Sequence, residues 1–187
     1  MLLTIADRDG TLIESVEYLG KEDNWKDKII FKFPVINLLR EIQNDYKSKI
    51  YVITNQSGVA RKYFDCLRVE NINKYLNYEL SNFGVKIDGW NYCPNVDNFY
   101  AFTHQEIDFN PKFIKEKSGR KPSIDMVLET LEKNNLSLSD FENMVVLGDS
   151  DVDKILAKNL KGSFIDVKEK DYKQLNEEFL SFINKGI

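Results

Sequence analysis

Short apolar runs alternate along this chain with stripes of helical spacing, and that alternation constrains the fold more than any other feature. The runs are "LLTIA" (2–6), "KIYVIT" (49–54), "IDGWNYC" (87–93), "MVVLG" (144–148) and "SFIDV" (163–167), all with strand character. Between them, Val35, Leu38, Leu39, Ile42 and Tyr46 follow i, i+3, i+4, i+7, i+11 behind Pro34, and Ile72, Leu76, Leu80 and Phe83 mark a second stripe. Ile124, Val127, Leu128 and Leu131 mark a third after Pro122 and Ser123, and Tyr172, Leu175, Phe179 with Phe182 or Ile183 mark the last. Such stripes read as the core-facing sides of amphipathic helices. Strands separated by helices predict an α/β fold, a three-layer, Rossmann-like, mostly parallel sheet with helices on both faces.

Composition narrows what such a fold serves. The chain has 187 residues, of which 42% are hydrophobic and 12% aromatic, enough for one packed domain over residues 1–187. A net charge of −4 argues against a chain built to coat nucleic acid or an anionic membrane. Cys66 and Cys93 are the only cysteines, far apart and without metal-ligand spacing, which fits a reducing compartment rather than a disulfide framework. The first strand begins almost at the N-terminus, and no run approaches the roughly 18 apolar residues of a membrane span. A cytoplasmic location with no membrane partner is the expectation.

In open parallel sheets, ligands bind beyond the carboxyl ends of strands, where the topology reverses. Polar clusters follow several strands here. After the first comes "DRDGT", whose Asp7 and Asp9 tend toward one face if strand alternation continues past Ala6. Two adjacent carboxylates repel, so a cation between them is the natural inference. After the second strand comes "ITNQSGVARKYF" (53–64), where Thr54, Asn55, Ser57 and backbone N–H groups could hold phosphate oxygens, although a plain βα turn has the same appearance. After the fourth comes "VLGDSDVDKI" (146–155), with Asp149, Asp151 and Asp153. A calcium loop is excluded, since its sixth position would be glycine and is Lys154, and its twelfth would be glutamate and is Leu160. An acidic first helical turn accounts for Asp151 but less well for Asp149, which ends the apolar run. From Pro111 to Pro122 there are five basic residues and one acid. That run is a solvated loop or, beside an acidic metal site, a source of one lysine that neutralises phosphoryl charge. Asp7, Asp9 and Asp149 are therefore expected to converge on one sheet edge around Mg²⁺, a hard oxygen-seeking cation.

In type and order, "DRDGT", Thr54 after the second strand, Lys121 and "GDSDVD" resemble the four motifs of the haloacid dehalogenase (HAD) superfamily of phosphohydrolases, over a span from Asp7 to Asp153. The resemblance implies a HAD-like fold and Mg²⁺-dependent phosphomonoester hydrolysis through an aspartyl-phosphate. It places Asp7 as nucleophile and Asp9 as general acid and base, with Thr54 and Lys121 as phosphoryl contacts. Asp149 becomes a magnesium ligand together with Asp7 and Asp9, and Asp153 stands behind the ligands as their support.

Arg8 between the aspartates, "TNQSGVARKYF", and "RKP" before a helix are similar to the histidinol-phosphate and heptose-bisphosphate phosphatase branch. The segments between motifs leave no room for a large cap domain, so loops must recognise the substrate, with Asn55, Ser57, Arg61 and Arg120 as the expected contacts. One departure stands out. Many members of that branch carry a zinc loop with a Cys-x-His pair and a later Cys-x-Cys pair. Here the first pair reads Cys93-Pro94-Asn95, no later cysteine exists, and His104 is the only histidine. That donor count argues against a structural zinc. Phe99, Tyr100, Phe102, Phe109 and Phe113 in the 94–119 segment are expected to clamp the loop by aromatic packing instead, or merely to seat it on the body. The substrate expected is a small phosphorylated metabolite, a sugar phosphate or histidinol phosphate. A polynucleotide or nucleotide 3′-phosphatase and a non-catalytic phosphate-binding member are the alternatives.

Overall fold

The computed structural model describes residues 1–185. Five parallel strands form the central sheet: β1 (Leu2–Ala6), β2 (Ser48–Asn55), β3 (Gly89–Cys93), β6 (Asn143–Gly148) and β7 (Ser163–Asp166), in the order β3-β2-β1-β6-β7. β1 pairs on one side with β2 from Leu2–Ser48 to Ala6–Val52, and on the other with β6 from Leu2–Asn143 to Ala6–Leu147. The chain winds from β1 outward to β3, then returns to the other flank of β1 for β6 and β7. The reversal falls between β1 and β6, so the carboxyl ends of these two strands flank the crevice in which such folds bind ligands.

Alternation along the strands divides the core into two layers. Leu2, Ala6, Val52 and Leu147 pack against Val35 and Leu39 of α1 (Phe33–Asp45) and Leu175 and Phe179 of α6 (Tyr172–Lys185). Leu3, Ile5, Ile53 and Val146 pack against Val127 and Leu131 of α4 (Asp125–Lys133) and Leu156 and Leu160 of α5 (Asp151–Asn159). This is the three-layer arrangement expected from the alternating runs, and the strand limits agree with the apolar runs within two residues. One stripe position differs: Leu128 is 41% exposed, because the nine residues of α4 leave its outer side uncovered.

Two smaller units sit above the carboxyl edge. Residues between β1 and α1 form a flap whose Ile13, Leu19 and Trp25 pack on Ile72 and Leu76 of α2 (Cys66–Asn82). The 94–119 segment holds a two-stranded parallel sheet of β4 (Val96–Asp97) and β5 (Ile114–Lys115), with α3 (Asn98–Thr103) between them. Val96 and Phe109 bury themselves there with Ala60, and Tyr100 and Phe113 pack alongside. The expected aromatic packing is thus made by Tyr100, Phe109 and Phe113. Phe99 and Phe102 depart from it, 76% and 70% exposed on a helix too short to bury both of its sides. None of the described helices is long and apolar enough to cross a membrane.

Candidate active site

The site begins where β1 ends. The Asp7 N–H still donates to the Leu147 carbonyl at 3.0 Å, so the ladder with β6 pins Asp7 at the β1–β6 seam. Its side chain continues the face of Leu3 and Ile5, toward α4 and α5. Past Asp7 the chain leaves the strand. Gly10 adopts φ +86°, and a Cβ there would lie 2.2 Å from Asp149 Oδ2, so glycine is what lets the end of β6 come this close. Gly148 does the same for the first turn of α5: a Cβ on it would lie 2.3 Å from the Asp153 Cβ.

These approaches bring three carboxylates together. Asp7, Asp149 and Asp153 each offer an oxygen within 4.8 Å of the others. Lys121 joins them from the segment before α4, its Nζ 2.6 Å from both Asp7 Oδ1 and Asp153 Oδ1. Its backbone is held in turn: the Lys121 N–H donates to Asn55 Oδ1 at 2.9 Å, and Asn55 Nδ2 donates to the Lys121 carbonyl at 3.2 Å. Asp153 is fully buried and also accepts from the Ser150 hydroxyl.

Burial pushes the Asp7 carboxyl up to about 6, with Asp153 and Asp9 adding to the rise and Lys121 opposing it. Burial and the neighbouring Asp153 likewise raise Asp149, against the pull of Lys168. Burial acts to lower Lys121, but the charges of Asp7 and Asp153 outweigh it and hold the ammonium form firmly. The cluster is rich in negative charge with one resident cation, a donor set of hard oxygens.

Asp9 lies outside this group. Its carboxylate accepts from Arg8 Nε at 3.1 Å, from Gln56 Nε2 at 2.8 Å and, weakly, from Thr54 Oγ1 at 3.4 Å. Of the expected set of Asp7, Asp9 and Asp149, the Asp7 and Asp149 carboxylates meet in the cluster, the Asp9 carboxylate faces Arg8 and Gln56 instead, and Asp153, expected as a support, lies beside the other two. The physical reason is that β1 stops at Ala6, so strand alternation no longer relates Asp7 to Asp9.

The expected substrate contacts divide. Ser57 and Asp9 line a cavity of about 280 Å³ with Tyr18, Gln56 and Phe64. Asn55 borders it too, but both ends of its amide are taken by the Lys121 main chain, so it braces the lysine rather than offering a vacant donor. Arg61 lies against three rings, with its guanidinium 5.4 Å from the Tyr18 centroid and 5.5 Å from those of Tyr100 and Phe109, and it donates to the Tyr100 hydroxyl. Arg120 covers the same Tyr100 ring at 5.8 Å. Two arginines thus share one tyrosine. Gln56 and Asn73 were not singled out by sequence reasoning, and only the place of Gln56 in "TNQSG" could have marked the first; Arg8 and Tyr100 were noted for the resemblance and for loop packing, without a role in the site.

Where the branch resembled above would hold zinc, Cys93 Sγ and Asn95 Nδ2 both donate to the Ser118 carbonyl, at 3.0 and 3.3 Å. This pair of hydrogen bonds ties the two ends of the 94–119 segment together.

The family model described as polynucleotide kinase 3 phosphatase matches residues 3–181. Among curated proteins, the chain is similar to D-glycero-beta-D-manno-heptose-1,7-bisphosphate 7-phosphatase of Haemophilus influenzae, 29% identical over 143 residues, 76% of this chain and 68% of the relative. The enzyme of the same name from Pasteurella multocida is 28% identical over 158 residues, 83% of this chain and 74% of the relative. Among solved structures, a protein described as a HAD-like phosphatase from Mesorhizobium loti has a TM-score of 0.75 at 21% identity, covering 98% of this chain and 86% of that one. The D,D-heptose 1,7-bisphosphate phosphatase of B. bronchiseptica, complexed with magnesium and phosphate, has a TM-score of 0.67 at 21% identity, covering 95% and 87%. These two likenesses show a shared fold.

Proposed function

Because the chain belongs to the polynucleotide kinase 3 phosphatase family, and so to the HAD-type phosphoric monoester hydrolases, we propose that it is a Mg²⁺-dependent phosphatase of a small phosphorylated sugar. The observation that carries this reading is the cluster of Asp7, Asp149 and Asp153 with Lys121 at the topological switch between β1 and β6. We read residues 1–187 as a single HAD-like unit.

The donor set suits magnesium, a hard cation that takes carboxylate oxygens, since the carboxylates gathered here are rich in negative charge with Lys121 as their cation. Asp7 and Asp149 would hold the ion, with Asp9 as the third expected ligand and Asp153, whose oxygens take Lys121 and Ser150, behind them; the ion would supply divalent charge against the phosphoryl oxygens. The chain's own residues do the rest. An Asp7 oxygen attacks phosphorus in line, forming the aspartyl O–P bond as the P–O bond to the sugar breaks, and the electron pair stays on the departing oxygen. Asp9, protonated, gives that oxygen its proton. As a carboxylate it then takes a proton from the water that attacks phosphorus, the Asp7–phosphorus bond breaks, and inorganic phosphate leaves. Lys121 and the Thr54 hydroxyl stabilise charge on the transferring group, while Asn55 keeps Lys121 in register. Ser57, Arg61 and Arg120 contact the remainder of the substrate, with the two arginines suited to a second anionic group.

The similarity to heptose-bisphosphate phosphatases supports a sugar bisphosphate as substrate. The description of the family model supports a second reading, a polynucleotide 3′-phosphatase. A phosphate-release panel separates them: a heptose bisphosphate, simple sugar phosphates, histidinol phosphate and a 3′-phosphorylated oligonucleotide, each with Mg²⁺ and with chelator. The expected result is turnover of the sugar phosphates that requires Mg²⁺ and disappears in Asp7→Asn. Preference for the oligonucleotide would replace the sugar reading with the second, and no turnover of any ester would leave a phosphate-binding protein.

A further inference from the structure

Among the described residues Arg8 is the largest side chain buried to this degree, 1% exposed, and the chemistry proposed above assigns it no part. A guanidinium taken out of water is costly unless its donors are matched, and an apolar residue would fill the same space at less cost. Its donors are matched in a particular way. One edge meets Asp9: Nε donates to Oδ2 at 3.1 Å, and NH2 lies 3.0 Å from Oδ2 and 3.2 Å from Oδ1. The remaining nitrogen, NH1, donates to Asn73 Oδ1 at 2.9 Å. Asn73 is itself buried, on the inward side of α2, 65 residues away in sequence.

The result is a rigid relay. The guanidinium is planar, so anchoring NH1 on α2 sets the plane in which the Asp9 carboxylate can be gripped. Gln56 approaches the same carboxylate through Oδ2 at 2.8 Å and also donates to Thr54 Oγ1 at 2.9 Å, closing the other side. Asp9 sits after the end of β1, where its backbone makes an isolated bridge to Ile13 that leaves the side chain unconstrained. Its orientation therefore comes from these side chains.

We propose that Arg8 and Asn73 are positioning residues for proton transfer by Asp9, so that the α2 helix sets where the carboxyl group stands relative to the departing oxygen. The inference rests on the reading of Asp9 as general acid. It adds that the acid's placement is supplied from α2 through a buried arginine. In the step concerned, the P–O bond to the leaving group breaks, its electron pair goes to the leaving oxygen, and the Asp9 proton moves to that oxygen. A displaced carboxyl delivers the proton poorly, and misplacement by an ångström is enough to matter.

The consequence depends on the leaving group. A sugar alkoxide needs the proton in the transition state, whereas p-nitrophenolate departs readily without it. A residue that merely held the fold together would, when altered, depress both substrates alike. The experiment measures kcat/KM, which reports the transfer to Asp7, for a sugar phosphate and for p-nitrophenyl phosphate in four proteins: the parent, Arg8→Met, Asn73→Leu and Asp9→Asn. General acid catalysis contributes about 100- to 10,000-fold. Asp9→Asn is expected to lose about 100-fold or more on the sugar phosphate and far less on p-nitrophenyl phosphate. Arg8→Met and Asn73→Leu are expected to show the same selectivity at roughly 10- to 100-fold, since proton transfer is impaired rather than abolished. Equal losses on both substrates in the Arg8 and Asn73 variants, with Asp9→Asn selective, would overturn the positioning role and leave Asp9 as the acid. Equal losses in Asp9→Asn itself would overturn the reading of Asp9 and the inference with it. Asn73→Leu keeps the arginine–aspartate pair and the volume of the side chain, so it decides the matter should Arg8→Met fail to fold.

Discussion

Lys121 is the residue on which the charge balance of the site turns. Its ammonium group lies 2.6 Å from both Asp7 and Asp153, with almost no water near it. Removing it leaves buried carboxylates without their partner. Lys121→Met is expected to lower kcat by roughly 100- to 1,000-fold through lost transition-state stabilisation, measured at saturating sugar phosphate and Mg²⁺. It should also destabilise the metal-free protein by about 3 kcal/mol, measured by chemical denaturation in chelator. The raised Asp7 gives a second expectation, and its sign is definite. The carboxyl goes from an ordinary 3.8 to about 6 on folding, so between these values the native state holds more proton than the unfolded one. Stability from this group is complete below the unfolded value and is lost as pH rises through the folded one. With chelator present, the melting temperature is expected to fall between pH 4 and pH 7. Mg²⁺, which binds the ionised site, should restore it, with a larger increment at pH 7 than at pH 5. A metal-induced increment that shrinks with rising pH would contradict the assignment. At this scale the nature of the site was legible and its membership was not. Asp7, Asp149 and Lys121 follow from residue type at strand and loop ends, but the turn of the Asp9 carboxylate toward Arg8 and the approach of Asp153 depend on where β1 stops and how Gly148 admits α5.

Elements place these residues by how closely they approach. The β1–α1 turn and the end of β6 can meet only because Gly10 has no side chain. Gly10→Ala forces a left-handed residue to carry a Cβ into the Asp149 carboxylate, at a separation of 2.2 Å before anything moves. Asp149 must shift. The expected outcome is a loss of roughly 100-fold in activity at fixed Mg²⁺, partly recovered at higher Mg²⁺, with the circular dichroism of the parent retained. The main strands and helices could be read beforehand because long runs carry periodicity. β4 and β5 have two residues each, and two residues have no period to read. The small unit they form also rests on contacts distant in sequence, Ala60 with Val96 and Phe109. Phe109 is the centre of that unit and lies against Arg61. Phe109→Ala is expected to open the unit, seen as faster hydrogen exchange confined to residues 94–119, and to raise KM for the sugar phosphate several-fold with kcat little changed. A fall in kcat with KM unchanged would place the unit in the chemistry instead.

At the scale of the whole molecule, the question is what kind of phosphate ester can approach. The fold delivers its charge unevenly: the chain carries −4 overall, while Arg61 and Arg120 gather on the Tyr100 ring, Arg120 next in sequence to Lys121 of the acidic site. A polymeric substrate would need a track of cations to follow. Several of the candidate lysines and arginines are already engaged in ion pairs, Lys62 with Asp108, Arg68 with Asp23 and Lys28 with Glu22. A small bisphosphate needs only these two arginines and Lys121. The two cases differ in how they respond to salt. A protein that neutralises 6–10 phosphates loses about 10³- to 10⁵-fold in affinity between 50 and 200 mM salt, whereas one or two contacts give a log–log slope of about −1 to −2. For the sugar phosphate, kcat/KM is expected to follow the shallow line, and Arg120→Ala should flatten it further by removing one contact. A steep slope on the 3′-phosphorylated oligonucleotide, together with efficient turnover at low salt, would mean that the molecule presents a cationic path along its surface that its net charge and paired lysines argue against.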